Sequence, residues 1–264
     1  MDAILHFKNL SIQYNKNTLA VNQVNLSVLR GSILVIVGES GSGKSTLIRS
    51  VIGLLPVGGE ITTGQILYQN EDLAHIEASQ MHMLRGNEIA IVFQDARAHL
   101  TPKRKIGSQF IESMRSHSFL SVKEARDIAL DALKGVNIPD PARIMDAYAF
   151  ELSSGMCQRV ALAMAISEYS QPKLLLADEP TSSLDVTNQA QMIRQILGYR
   201  ERFSTSIIMV THNFGIAAYI ADYIAIMRGG RLIEWGERDH VIIDPQNEYT
   251  RELLDAVPKM EGLR

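Results

Sequence analysis

Cysteine is nearly missing from this 264-residue chain. Cys157 stands alone, which excludes an internal disulfide and any cysteine-ligated cluster or zinc site within one chain. Long hydrophobic runs are missing too. The chain is 46% hydrophobic, enough for a full core. Yet unbroken apolar runs such as ILVIV (33–37) fall far short of the ~20 residues that a membrane helix needs. There is no excess of either charge: 26 Lys and Arg face 29 Asp and Glu, a net charge of −3 at pH 7. No basic field therefore argues for nucleic-acid binding. The first residues, MDAILHFKNL, lack the charged-then-apolar layout of a signal peptide. The sequence also has no internal repeat, low-complexity tract or dividing linker. These absences lead us to expect a soluble, cytoplasmic chain, folded as one domain over 1–264, that meets a membrane only through partners.

Three short apolar runs punctuate the sequence: SILVIVG (32–38), KLLLADE (173–179) and SIIMVTH (206–212). Each is continuous and ends in polar residues, as buried parallel strands with functional loops at their C-terminal ends do. LHFKNLSIQY and GQILYQN, in the first 75 residues, alternate with polar positions and suggest an antiparallel sheet. From about 96 to 170 the pattern turns helical. Ser121 and Glu124 have the spacing of a capping box, and Val122, Ala125, Ile128, Ala129 and Ala132 follow at helical intervals. NIPDPAR (137–143) then breaks that helix.

GESGSGKST places Gly38, Gly43, Lys44 and Ser45 in the G-x-x-x-x-G-K-[ST] spacing, after an apolar strand and before the helical LIRSVIGLL. Glycines let backbone N–H groups wrap a β-phosphate without Cβ clashes. Lys44 offers a charge to the β- and γ-phosphates, and Ser45 offers a hydroxyl to Mg²⁺. Ser40, Gly41, Ser42 and Thr46 complete the candidate nucleotide-binding set. LLLADEP puts Asp178 and Glu179 at the end of a buried strand. Asp178 there suits Mg²⁺ held through water, and Glu179 could orient or deprotonate an attacking water. Gln94 ends a fourth apolar run, where it could sense Mg²⁺ or that water, and His212 ends IIMVTH, within reach of a γ-phosphate. LSSGMCQR (152–159) reads as a second helix start able to hold an anion.

Taken in order, the phosphate loop, the strand-end glutamine, LSSGM, LLLADEP followed by SSLD, and the strand-end histidine resemble the ATP-binding-cassette ATPases over the whole chain. The resemblance implies an α/β fold: a P-loop NTPase core with an N-terminal antiparallel β subdomain and an inserted helical subdomain at about 96–170. It implies ATP and Mg²⁺ as cofactors and head-to-tail pairing with a second ATPase subunit, identical or not. In that pairing Ser153 and the Gly155 N–H would contact the γ-phosphate of the partner's nucleotide. Tyr14 would stack on adenine, Asp185 would lie at the dimer interface, Glu179 would be the catalytic base or water-positioning residue, and His212 the γ-phosphate switch. The family's signature usually carries two consecutive glycines. Ser154 stands at the first, from which we expect reduced rather than abolished function, because a side chain there costs strain or distance.

The tail at 236–264, with DPQNEYTRELLDAVP, and the stretch SSLDVTNQAQMI resemble the ATPases of oligopeptide, dipeptide and nickel importers. Such systems combine two ATPase chains, two transmembrane permease subunits and an extracytoplasmic binding protein, with the ATPases peripheral on the cytoplasmic face of the membrane. Longer members carry a cysteine-rich extension for an iron–sulfur cluster; with Cys157 alone in this sequence, we expect no such cluster here. The expected function is powering import of nickel, a metal chelate or small peptides. A soluble non-transport cassette and a weakly hydrolysing regulatory subunit are the alternatives, and an exporter is opposed only by the tail and the LDVTNQAQ stretch. DARAHLTPKRKIGSQF (95–110) would help to receive a membrane subunit's coupling helix. HIEASQMHML (75–84) reads as an exposed helical stretch rather than a metal site.

Overall fold

A computed structural model of the chain describes residues 2–15, 18–167, 169–182 and 184–256. Ser183 of the SSLD peptide and residues 257–264 of the expected tail lie outside them. The chain forms two compact units, one from 1–75 and 208–264, the other from 76–207.

The first unit opens with strands β1 (Ala3–Tyr14), β2 (Thr18–Leu29) and β3 (Ile33–Val37), helix α1 (Lys44–Val51), and strands β4 (Gly59–Tyr68) and β5 (Glu71–Asp72). Four of these strands form an antiparallel sheet in the order β2-β1-β4-β5. In its register Phe7 lies opposite both Leu26 and Ile66, and all three are buried. One face of the alternating pattern is thus covered, while polar residues occupy the other. Bulges at Asn9 and Gln23, both at positive φ, let the two long strands twist without losing that face.

The second unit holds α2 (Ala78–Leu84), β6 (Ile89–Val92), α3 (Ala96–His99), α4 (Ile106–Arg115), α5 (Val122–Gly135), α6 (Pro141–Asp146), α7 (Ser154–Ala165), β7 (Leu174–Asp178) and α8 (Val186–Phe203). Strands β6 and β7 pair in parallel, with Ala90 opposite Leu175, and every residue of β7 is buried. The capping box of α5 forms as its spacing predicts. Ser121 Oγ accepts from Glu124 N at 3.2 Å, and Glu124 Oε2 accepts from Ser121 N at 2.8 Å. The helix buries Ala125, Ala129 and Leu133. Asp140 and Pro141 then start α6, with the Asp140 carboxylate accepting from Arg143 N.

Strand β8 (Ser206–Thr211), buried throughout, carries the chain back to the first unit. There follow α9 (Phe214–Ile220), β9 (Tyr223–Arg228), β10 (Arg231–Glu237), α10 (Arg238–Ile243) and α11 (Glu248–Asp255). β3 and β9 pair in parallel, Val35 opposite Ile224, and β10 returns antiparallel to β9. One carboxylate fastens residues 246–250 to this sheet. Glu234 of β10 accepts from the Thr250 hydroxyl at 2.6 Å and from the amides of Gln246 and Asn247 at 2.8 and 3.1 Å. Burial opposes its charge, but these hydrogen bonds outweigh burial and hold its pKa below the ordinary 4.5. Among the described residues, no helix is long and apolar enough to cross a membrane.

Replacing Ser121 by Ala removes the side-chain half of the α5 cap and is expected to cost about 1 kcal/mol in urea unfolding, with the slope unchanged. The Glu234 fastening is present above the unfolded carboxyl's pKa and is lost as pH falls through the lower folded value. Glu234→Gln is therefore expected to weaken hydrogen-exchange protection of the Gln246 and Asn247 amides at neutral pH, as acidification does in the unaltered chain.

Candidate functional site

The loop between β3 and α1 closes around a buried ammonium group. Lys44 is 4% exposed, and its Nζ donates to the carbonyls of Gly38 and Glu39, each at 2.7 Å, and to Ser42 Oγ at 3.2 Å. A buried cation needs such oxygens, so the loop's shape follows from its lysine. Two glycines are required by contact. A Cβ on Gly38 would lie 2.1 Å from the Met227 carbonyl, and one on Gly43, at φ +97°, would lie 2.1 Å from the Ala20 carbonyl. No L side chain fits either position. The turn between β9 and β10 braces the loop, Gly230 N donating to Ser42 O at 3.1 Å, and Asn22 N in turn donates to Gly230 O at 2.8 Å.

Past the loop, Ser45 and Thr46 occupy the first turn of α1, where backbone N–H groups lack helical partners. Exposed Ser40 and Gly41 form the loop's crest. Tyr14, half-buried at the end of β1, meets Thr46 Oγ1 through its hydroxyl at 3.3 Å. Its ring lies against Gly59, where a Cβ would come within 2.6 Å of Tyr14 Cε1. The tyrosine is thus placed beside the helix that follows the loop. His212, exposed, follows directly on β8 in the same unit.

The second unit brings the other candidates together. Asp178 ends β7 with no exposure. Glu179 follows at φ +43°, a left-handed conformation unusual for glutamate, and its carbonyl is held by Ser182 N at 3.3 Å and Ser182 Oγ at 3.2 Å. Gln94 Nε2 donates to Glu179 Oε2 at 3.4 Å. This leaves the Gln94 amide oxygen to face elsewhere. Asp185 caps α8, accepting from Asn188 N at 3.0 Å and Asn188 Nδ2 at 2.5 Å. Those bonds hold its carboxyl below the usual range.

LSSGM is a helix start, as its composition predicts. Ser153 is the N-cap of α7, its Oγ accepting from Met156 N at 3.2 Å. Ser154 lies in helical backbone, so serine in place of the family's glycine brings no left-handed strain. A Cβ on Gly155 would come within 3.3 Å of a Leu184 methyl. Cys157 is fully buried, its thiol pushed up by burial and facing the Ala149 carbonyl.

Two further residues join the glutamine loop to this helix. Gln158, 1% exposed, donates from Nε2 to Phe93 O at 3.0 Å and accepts from Ala96 N at 3.4 Å through Oε1. Arg97 donates to the carbonyl of Leu152, the residue before the Ser153 cap. The only trace of Gln158 in the sequence is an amide within an otherwise apolar helix face. In HIEASQMHML, Met81 is buried and the exposed His82 meets the His117 ring at 5.2 Å. No group of three or more metal-ligating side chains occurs among the described residues. Arg104 pairs with Glu112, and Lys105 with Asp146 at 3.3 Å.

Gln158→Ala would leave a buried carbonyl and a buried N–H unpaired, a loss expected to lower stability by about 1–3 kcal/mol. Urea unfolding measures it; an unchanged midpoint would mean that water replaces both bonds.

With the lysine loop, the strand-end acids and the α7 start in place, comparison with known proteins identifies the family. The sequence profile of the ABC transporter family matches residues 21–182. The dipeptide transport ATP-binding protein DppD of Bacillus subtilis is 37% identical over 265 residues, 99% of this chain and 78% of the relative. The oligopeptide transport ATP-binding protein OppD of the same organism is 38% identical over 263 residues, 98% and 73% of the two chains. Among solved structures, a dimeric ATP-binding cassette in a post-hydrolysis state, bound to ADP and Pi, superposes with a TM-score of 0.79 at 25% identity, covering 89% of this chain and 98% of that one. Clostridium perfringens cbiO1, part of the ABC transporter complex cbiONQ, gives 0.76 at 27% identity, covering 98% and 97%. The chain belongs to the ABC transporter family, as one of its ATP-binding, ATP-hydrolysing subunits.

Proposed function

We propose that this ATPase powers import of short peptides. The observation that carries the reading is likeness along nearly the whole chain to dipeptide and oligopeptide transport ATP-binding proteins. The nickel and metal-chelate branch shares the sequence features of the tail, but the relatives named above are those of peptide systems. In this reading the ATPase sits peripherally on the cytoplasmic face, paired with a second cassette and bound to two permease subunits that an extracytoplasmic binding protein supplies. The helical stretch at 96–170 is the inserted subdomain, 236–264 is the family tail, and the segment after Gln94 receives the permease.

The residues supply the following steps. The N–H groups of Gly38 to Thr46, with Ser40, Gly41, Ser42 and Gly43 between them, wrap the β-phosphate. Lys44 exchanges its carbonyl partners for β- and γ-phosphate oxygens. Tyr14 stacks on adenine. The donor set suits Mg²⁺, a hard cation that prefers oxygen: the Ser45 hydroxyl, the Gln94 amide oxygen left over from the bond to Glu179, and the buried Asp178 carboxylate acting through water. Bound there, Mg²⁺ would neutralise phosphate charge. Glu179 orients and deprotonates the attacking water, and His212 holds the γ-phosphate.

The α7 start serves the partner's nucleotide. Ser153 uses its oxygen to cap its own helix, which leaves its O–H to donate, together with the Gly155 N–H, to a γ-phosphate across the interface. Asp185 lies at that interface. The helical backbone at Ser154 makes the cost of the missing glycine one of distance, so hydrolysis at the partner's site is slowed rather than lost. The intact acid pair argues against a purely regulatory subunit.

Lys44→Ala in cells is expected to abolish uptake of a labelled dipeptide and to leave ⁶³Ni²⁺ uptake unchanged. Loss of nickel uptake with intact peptide uptake would replace the peptide reading by the metal one. In purified protein, Glu179→Gln is expected to retain ATP binding and to lose at least 100-fold in hydrolysis rate, about 3 kcal/mol of barrier.

A further inference from the structure

The C-terminal ends of α5, α7 and α8 enclose a cavity of about 740 Å³ in the second unit, a size that suits a small molecule. None of the nucleotide residues named above lines it. Ile128 and Ala132 of α5, Ala163 of α7, and Tyr199 and Phe203 of α8 give it apolar and aromatic walls. The Tyr199 and Phe203 rings meet at 4.7 Å, and the Arg202 guanidinium, also at the cavity, lies over Phe203 at 5.0 Å. Asp131, paired with Lys134 at 2.8 Å, stands on the α5 side. The two ends of the cavity wall thus carry opposite charges.

Two glycines keep this space open. Gly135 ends α5 and Gly198 lies inside α8; both line the cavity, and a Cβ on either would meet nothing within 4 Å. Glycine weakens a helix interior, and no close approach requires it at Gly198. A third lining residue points to a ligand. Gln195 lies one turn before Tyr199 in α8, and both polar atoms of its amide are closed off from solvent without a hydrogen-bond partner among the described residues. Such an amide is unfavourable and uncommon. It asks for an acceptor and a donor side by side, and a peptide group supplies both.

We propose that this cavity binds a short apolar peptide. The Gln195 amide turns about its soft terminal torsion into the cavity and pairs with the peptide group, its Nε2 donating to the carbonyl and its Oε1 accepting from the N–H. The apolar side chains of the ligand lie on the Tyr199 and Phe203 rings, its carboxylate towards Arg202 and its ammonium towards Asp131. A peptide held there ties α7, the helix that starts at LSSGM, to α5 and α8. The inference does not rest on the import reading, because the cavity's own residues set the ligand class and binding is read without transport.

Calorimetry on the full purified chain tests it, with leucyl-leucine as the probe and leucine as the control that has both charged ends but no peptide group. Leucyl-leucine is expected to bind, and leucine to bind at least about tenfold more weakly. Gln195→Met keeps the length of the side chain and removes the amide; it is expected to weaken leucyl-leucine binding about tenfold to a hundredfold, the worth of two hydrogen bonds. Gly198→Leu fills the space and is expected to abolish binding, with an unfolding temperature unchanged or raised because leucine favours the helix. If leucyl-leucine does not bind, or leucine binds as tightly, the proposal is overturned. Unchanged affinity in Gln195→Met overturns it as well, and so does binding that persists in Gly198→Leu, since the dipeptide then sits elsewhere. Should Gly198→Leu lose binding together with a fall in unfolding temperature, that loss is a packing defect and Gln195→Met alone decides.

Discussion

A buried ammonium group organises half of the site. Lys44 is almost fully withdrawn from water, and an unpaired charge at that depth would unfold the loop around it. The loop answers with two of its own carbonyls and a serine oxygen. Turning those carbonyls inward requires close backbone approaches, and Gly38 against Met227 and Gly43 against Ala20 make them. The surrounding strands are then constrained in turn: the β9–β10 turn bonds to Ser42, and β2 bonds to the turn. The glycines, the turn and the strand edges are therefore one arrangement, required by a single charge.

Much of the fold is legible in the sequence because its signals are local. The runs at 32–38, 173–179 and 206–212 are β3, β7 and β8, each buried throughout. The polar alternation near the start is the antiparallel sheet, and Ser121 with Glu124 form their capping box. Of the candidate site, Lys44 in the loop, Glu179 at a strand end and Ser153 at a helix start can each be placed from a few neighbouring residues. What escapes is carried by partners far along the chain. Gln158 bonds to Phe93, 65 residues away, and Gly230 bonds to Ser42 from far along the sequence. No periodicity or spacing reports such a contact. β9 and β10, which brace the loop, are also plain only once their pairing is seen.

The α7 start is built differently from the lysine loop. The phosphate loop is tied to its own lysine, whereas the α7 start is tied to the glutamine segment through Gln158 and Arg97. Within one unit, Gln94 contacts Glu179 while its neighbours grip the signature helix. The Gln94 segment and the Ser153 helix start are thus joined through Phe93, Ala96 and Arg97, which bond to Gln158 and Leu152.

The central claim is that the loop and the signature helix of this chain serve two different nucleotides. The solution mass of the Glu179→Gln chain, with and without MgATP, tests it most directly, because blocked hydrolysis traps whatever complex ATP builds. The account predicts an ATP-dependent doubling of mass, with one cassette lending its Ser153 helix to the nucleotide of the other. A chain that binds MgATP and stays a monomer would require a different ATPase or permease subunit as its partner, and one that binds no MgATP would contradict the account.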